Sequence, residues 1–124
     1  MKTEEQVAID YDELLARCLG NIEFVDRILT KFQRRFGEQL EELEDAVARD
    51  DAARVVHVAH RLKGESACVA ATRLRDCVSE VEILGRTDRL GDLPPCLEQL
   101  REEWAAVAES LSARNWDGAG SSET

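Results

Sequence analysis

His60-Arg61-Leu62-Lys63-Gly64-Glu65-Ser66-Ala67 places a histidine, a lysine and a helix-disfavouring glycine within about one turn of a helical stretch. Each residue of an α-helix steps about 100° around the axis. With Leu62 at the centre of one face, Val55, Val58, Ala59, Ser66 and Val69 fall within about 60° of it and form a core stripe. His60 falls about 160° away, on the solvent side. Around it lie Ala53, Val56, His57, Gly64, Ala67, Cys68 and Ala71. An exposed helix face ordinarily carries Glu, Lys, Gln and Arg. This one is small and nearly uncharged around an imidazole, which suits a surface where another protein docks and reacts.

Gly64 strengthens that expectation. A glycine inside a helix costs about 1 kcal/mol relative to alanine. A side chain one turn beyond His60 would lean back over the ring, because helical Cβ atoms point toward the N-terminus. Lys63 is i+3 from His60, so its ammonium can reach a charge carried by the imidazole. Val56, Gly64, Ala67 and Ala71 are expected to form a docking patch around His60, with Arg61 and Lys63 at its rim. His57 is read as a solvated residue or a modulator of docking or of the His60 proton.

The run His60-x-x-Lys63-Gly64-x-Ser66 resembles the signature of histidine-containing phosphotransfer (HPt) domains, and Ala59, Leu74, Glu82, Asn21, Phe24 and Phe32 fit the same pattern. The resemblance extends over roughly residues 8–113. Two positions depart from it: Cys68 stands where the family often has Asn or Gln, and Ala70 where it usually has Gly. The resemblance implies a four-helix bundle and a phosphorelay carrier. His60 would take a phosphoryl group from the aspartate of a response-regulator receiver domain and pass it to another. Lys63 would offset its charge. A hybrid sensor histidine kinase and receivers are the implied partners, with Mg²⁺ on the receiver, no cofactor on this chain, and a monomeric state.

Composition is consistent with that reading. The 124 residues suggest one domain, and 44% hydrophobic with 34% charged residues is ordinary for a globular chain. A net charge of -10 disfavours nucleic acid. Between Asp51 and Arg75, however, Arg54, Arg61, Lys63, Arg73 and Arg75 face only Asp51 and Glu65, so the histidine lies in a basic part of an acidic chain. Cys18, Cys68, Cys77 and Cys96 make no Cys-x-x-Cys pair, and zinc is poorly supported. Met1 to Asp10 lacks the apolar core of a signal peptide, and no apolar run approaches a membrane span. A cytoplasmic, free-standing protein is expected.

The helical pattern completes the expected fold: all-α, an antiparallel four-helix bundle with a short additional N-terminal helix. After a loose lead-in, Asp10 with Glu13 starts a short helix through Cys18. Asn21 caps a long helix from Ile22 to about Ala48, with a bend allowed near Gly37. Asp50-Asp51 opens the histidine helix, Ala52 to Val69. Leu74, Cys77, Val78, Val81 and Leu84 mark the next; Gly85 to Leu93 is expected as loop; Pro94 then starts a helix through Leu111. Phe24, Phe32, Phe36 and Trp104 are expected in the core. The domain is expected to span 1–116, with a disordered Gly/Ser-rich tail over 117–124.

No phosphate-cradling glycine-rich loop occurs, and the outer face of the histidine helix carries no carboxylate for a Ser/His/Asp constellation. The expectation is a carrier whose catalysis comes from its partners, rather than an enzyme. A helical adaptor that docks without phosphoryl transfer is the alternative; a metal-dependent hydrolase has no ligand set.

Overall fold

Among the described residues, four of the five helices end in the same backbone device, and it sets the antiparallel course of the chain. The computed structural model describes residues 7–114. In it α1 is Tyr11–Arg17, α2 Ile22–Ala48, α3 Ala52–Cys68, α4 Thr72–Arg86 and α5 Leu93–Ala113, with a 3-10 turn at Leu90–Asp92. After α1, α2, α3 and α4 the chain turns through Leu19, Asp50, Ala70 and Asp88, all at positive φ. At each, paired bonds return to the preceding helix: after α3, Ala70 N–H donates to Ala67 O (3.1 Å) and Ala71 N–H to Ser66 O (2.9 Å). This is a Schellman motif, which satisfies the last carbonyls and reverses the chain within a few residues. None of the four left-handed positions is glycine.

The starts are capped as the sequence predicts. The side chains of Asp10, Asn21 and Asp51 accept the N–H groups of Glu13, Phe24 and Arg54. Pro94 and Pro95 lie in the first turn of α5.

The core is one cluster, with Phe36, Leu29, Leu43, Val58, Leu62, Leu74, Leu100 and Val107 among its members. Each such side chain contributes about 1.5–3 kcal/mol through burial. Trp104, half-buried, stacks on Phe36 at 4.5 Å and meets Phe32 edge-on at 5.9 Å. Phe24 is not in this core; it is 43% exposed, one helical step off the face that Val25 takes. The described end of the lead-in, residues 7–10, is tighter than expected as well. Ile9 is buried, and Asp10 N–H donates to Ala70 O at 3.0 Å, which pins the N-terminal segment to the α3–α4 turn. Arg17 reinforces this by donating to the terminal carbonyls of α3, Ala67 O (2.9 Å) and Cys68 O (3.3 Å).

A larger correction falls on α4. Gly85 and Arg86 belong to the helix rather than to a loop, and Gly85 is buried. A Cβ at Gly85 would lie 2.9 Å from Val56 Cγ2 and 3.2 Å from Val55 Cγ1. The missing side chain therefore lets α4 approach α3 beside the histidine turn. Residues 1–6 and 115–116 of the expected domain and the expected tail 117–124 lie outside the described residues.

Candidate functional site

α3 holds Val55, Val58, Ala59, Leu62 and Ser66 in the core and turns His60 outward. The His60 side chain is 65% exposed. Its Nδ1 lies 3.1 Å from Glu82 Oε2 of α4. The same carboxylate receives Lys63 Nζ at 3.1 Å on Oε1, and Arg86 Nε and Nη2 at 3.1 and 2.7 Å on Oε2. The Glu82 side chain is only 5% exposed. Burial pushes its carboxyl up, but the Arg86 guanidinium, the Lys63 ammonium and the His60 ring outweigh that and hold it below the usual carboxylate range.

An ionised carboxylate only accepts hydrogen bonds. His60 Nδ1 is therefore the protonated nitrogen in its bond to Glu82. In the neutral ring the lone pair then sits on Nε2, at the exposed end of the side chain. The expectation that no carboxylate stands beside His60 holds for α3 alone; Glu82 arrives from the neighbouring helix. A signal for it exists in the sequence. Glu82 falls on the core-facing side of α4, beside Val78, Val81 and Gly85, where a charge requires partners.

On its other flank His60 borders a shallow groove of about 510 Å³ between α2 and α3. Ile28, Phe32, Gly64, Cys68 and Val69 give it an apolar lining, with Lys31, Arg35 and Arg61 at its polar positions. Gly64 is exposed, and a Cβ built there meets nothing within 4 Å. Arg61 Nη2 lies 2.8 Å from His57 Nε2, and Arg61 Nη1 donates to Gln39 Oε1 at 3.3 Å. Gln39 in turn donates to Glu65 Oε2 at 2.9 Å, which ties α2 to α3 along this edge.

The other expected patch residues divide. His57 and Arg61 are exposed, as read from the sequence. Ala67 is half-buried on the outer face. Val56 is half-buried because it packs against Gly85 of α4. Ala71 is not on this face: it is fully buried and caps the start of α4. The left-handed Ala70 redirects the chain, so the helical angle that would expose Ala71 no longer applies.

The basic character of the segment also has a different source from the one expected. Arg54, Arg73 and Arg75 pair with Glu42, Glu103 and Asp76, away from His60. The cations around the imidazole are Lys63 and Arg61 of α3, Arg86 of α4, and Lys31 and Arg35 of α2. Among the described residues, no group of three or more His, Cys, Asp or Glu is arranged to hold a metal ion, and no helix is long and apolar enough to cross a membrane. All four cysteines are free thiols. Burial pushes those of Cys77 and Cys96 up, away from nucleophilic use.

Fold and site together define a helical bundle that presents one carboxylate-oriented imidazole on its surface. The Hpt domain model matches residues 27–110, and the chain belongs to that family. Its structure is similar to that of histidine-containing phosphotransfer protein B (HptB) from Pseudomonas aeruginosa PAO1, with a TM-score of 0.77 and 29% identity over 85% of this chain and 91% of that one. It also shares its fold with the HPT domain of a sensor hybrid histidine kinase from Shewanella, with a TM-score of 0.74 and 19% identity over 85% and 91% of the two chains. No curated protein matches it. The chain is a phosphorelay histidine phosphotransfer protein.

Proposed function

We propose that His60 is the phosphoacceptor, through Nε2, and that the donor and acceptor are aspartates of response-regulator receiver domains, one of them on a hybrid sensor kinase. The observation that carries this is the 3.1 Å contact from His60 Nδ1 to Glu82, which leaves Nε2 as the free, exposed nitrogen. Its lone pair forms the N–P bond. The O–P bond to the donor aspartate breaks, and that electron pair stays on the departing carboxylate. The Nδ1 proton remains on the ring, facing Glu82, which steadies the positive charge the ring acquires.

Lys63 balances the phosphoryl charge, Gly64 leaves the ring accessible, and the partner supplies Mg²⁺ and the acidic pocket that binds it. The chain then acts as a carrier rather than an enzyme. The groove beside His60 is where the receiver rests, its apolar floor set between cations that complement an acidic partner. A monomer working in the cytoplasm fits these roles.

The test is incubation with a phosphorylated receiver domain. The expected product is an acid-labile, alkali-stable phosphate on His60, absent in His60→Gln. A His60→Gln variant that still accepts phosphate overturns the assignment. Tight binding to receivers with no transfer by the parent chain would favour a docking adaptor.

A further inference from the structure

Glu82 Oε2 is shared. It faces His60 Nδ1 at 3.1 Å and Arg86 at 3.1 and 2.7 Å, so Arg86 makes both the shorter and the more numerous contacts to the atom that orients the imidazole. Arg86 stands one turn beyond Glu82, in the last turn of α4, and its side chain is 57% exposed.

A lone ionised carboxylate beside an imidazole favours the doubly protonated, cationic ring. Such a ring has no lone pair and cannot attack phosphorus. Glu82 therefore carries a hazard along with its benefit: the group that fixes the tautomer also attracts a second proton. Here the carboxylate does not act alone, because two cations lie on it, Lys63 on Oε1 and Arg86 on Oε2. Among the described residues, the other charged or titratable groups bordering His60 are His57, Arg61 and the Cys68 thiol on α3, and Lys31 and Arg35 across the groove on α2, with Glu65 held by Arg35 and Gln39. Of these cations, Arg86 alone shares the oxygen that His60 uses.

We propose that Arg86 is a positioning residue for His60 that acts through Glu82. By sharing Oε2 it keeps the carboxylate as an acceptor for Nδ1–H while offsetting the negative charge that would draw a second proton onto Nε2. This rests on the reading of His60 as phosphoacceptor.

The experiment has two arms, both on the full chain. NMR titration of the His60 ring is compared among the parent, Arg86→Gln and Arg86→Lys. The rate of phosphoryl acceptance from a phosphorylated receiver is then measured against pH for the same proteins. In Arg86→Gln the ring's titration midpoint should rise by about half a pH unit or more. Acceptance should fall about threefold well below the parent's own midpoint and return to the parental rate about two units above it. Arg86→Lys keeps the charge and should restore most of both.

A midpoint that stays put or falls in Arg86→Gln overturns the proposal. So does a loss of rate that is equal at every pH, which would assign Arg86 to docking or structure. If the parent accepts no phosphate on His60, the phosphoacceptor reading fails, while the titration still decides whether Arg86 controls the ring's proton.

Discussion

Gly85 and Val56 bring the two halves of the site together. The glycine of α4 offers no side chain at the point where Val56 of α3 approaches, and a Cβ there would stand 2.9 Å from Val56 Cγ2. Gly64, two turns from Val56 along α3, is the opposite kind of glycine, open to solvent with nothing within 4 Å of an added Cβ.

The two glycines should therefore respond to alanine with opposite signs. Gly64→Ala should stabilise the protein by up to about 1 kcal/mol through helix propensity. Gly85→Ala should cost about 1–3 kcal/mol, because Val55 and Val56 must shift to admit the methyl. Urea unfolding midpoints check both. Gly64→Glu should fold normally yet transfer phosphate slowly, since a long chain leans over the imidazole. Unimpaired transfer by that variant would show that access at Gly64 is irrelevant.

Glu82→Gln should make the protein less stable at neutral pH by about 1–3 kcal/mol, through loss of the charged hydrogen bonds to Arg86 and His60 and of the ion pair with Lys63. The sign with pH follows from the lowered carboxyl. The contribution is fully present above the ordinary value of 4.5 and disappears as pH falls through the lower value in the folded state. The gap in urea midpoint between parent and variant should close in acid. A gap that persists unchanged there would mean that Glu82 acts by shape rather than by charge.

Lys63→Ala should slow transfer or shorten the phosphohistidine lifetime on the order of tenfold without abolishing acceptance. A charge-assisted contact at a partly exposed site is worth less than a buried one. Its ammonium already pairs with Glu82 at 3.1 Å, so the variant should also lose a little stability. Complete loss of acceptance would give Lys63 a part in the chemistry itself, and an unchanged rate would make it a bystander.

Ala70→Gly should stabilise the fold. Ala70 holds φ at 59°, where an L side chain costs about 1 kcal/mol and glycine does not. Against that stands the small buried methyl, so a net gain of about 0.5 kcal/mol is expected. A fall in melting temperature would show that the methyl's packing matters more than the backbone.

His60, Lys63 and Gly64 were legible in the sequence because all three sit on one helix. Rotation by about 100° per residue places any side chain relative to its helical neighbours without knowledge of the rest of the fold. The same regularity made the helix count, the Asp10, Asn21 and Asp51 caps and the antiparallel order readable, each being a local property. Rotation fails where the helix stops. Continuing the α3 angle through Ala70 puts Ala71 on the exposed face, and the left-handed turn buries it instead.

Everything that needs two helices was decided by tertiary structure. Glu82 and Arg86 reach His60 because α4 packs against α3 at Gly85, and Lys31 and Arg35 reach the groove because α2 lies on the other flank. The identity of Gly85 as a contact, rather than a loop residue, depends on what stands opposite it. Helical periodicity alone thus specifies a bundle with an exposed histidine. The partner helices decided which nitrogen of that histidine is free, since a tautomer is set by the acceptor across the gap and helical periodicity carries no information about that gap.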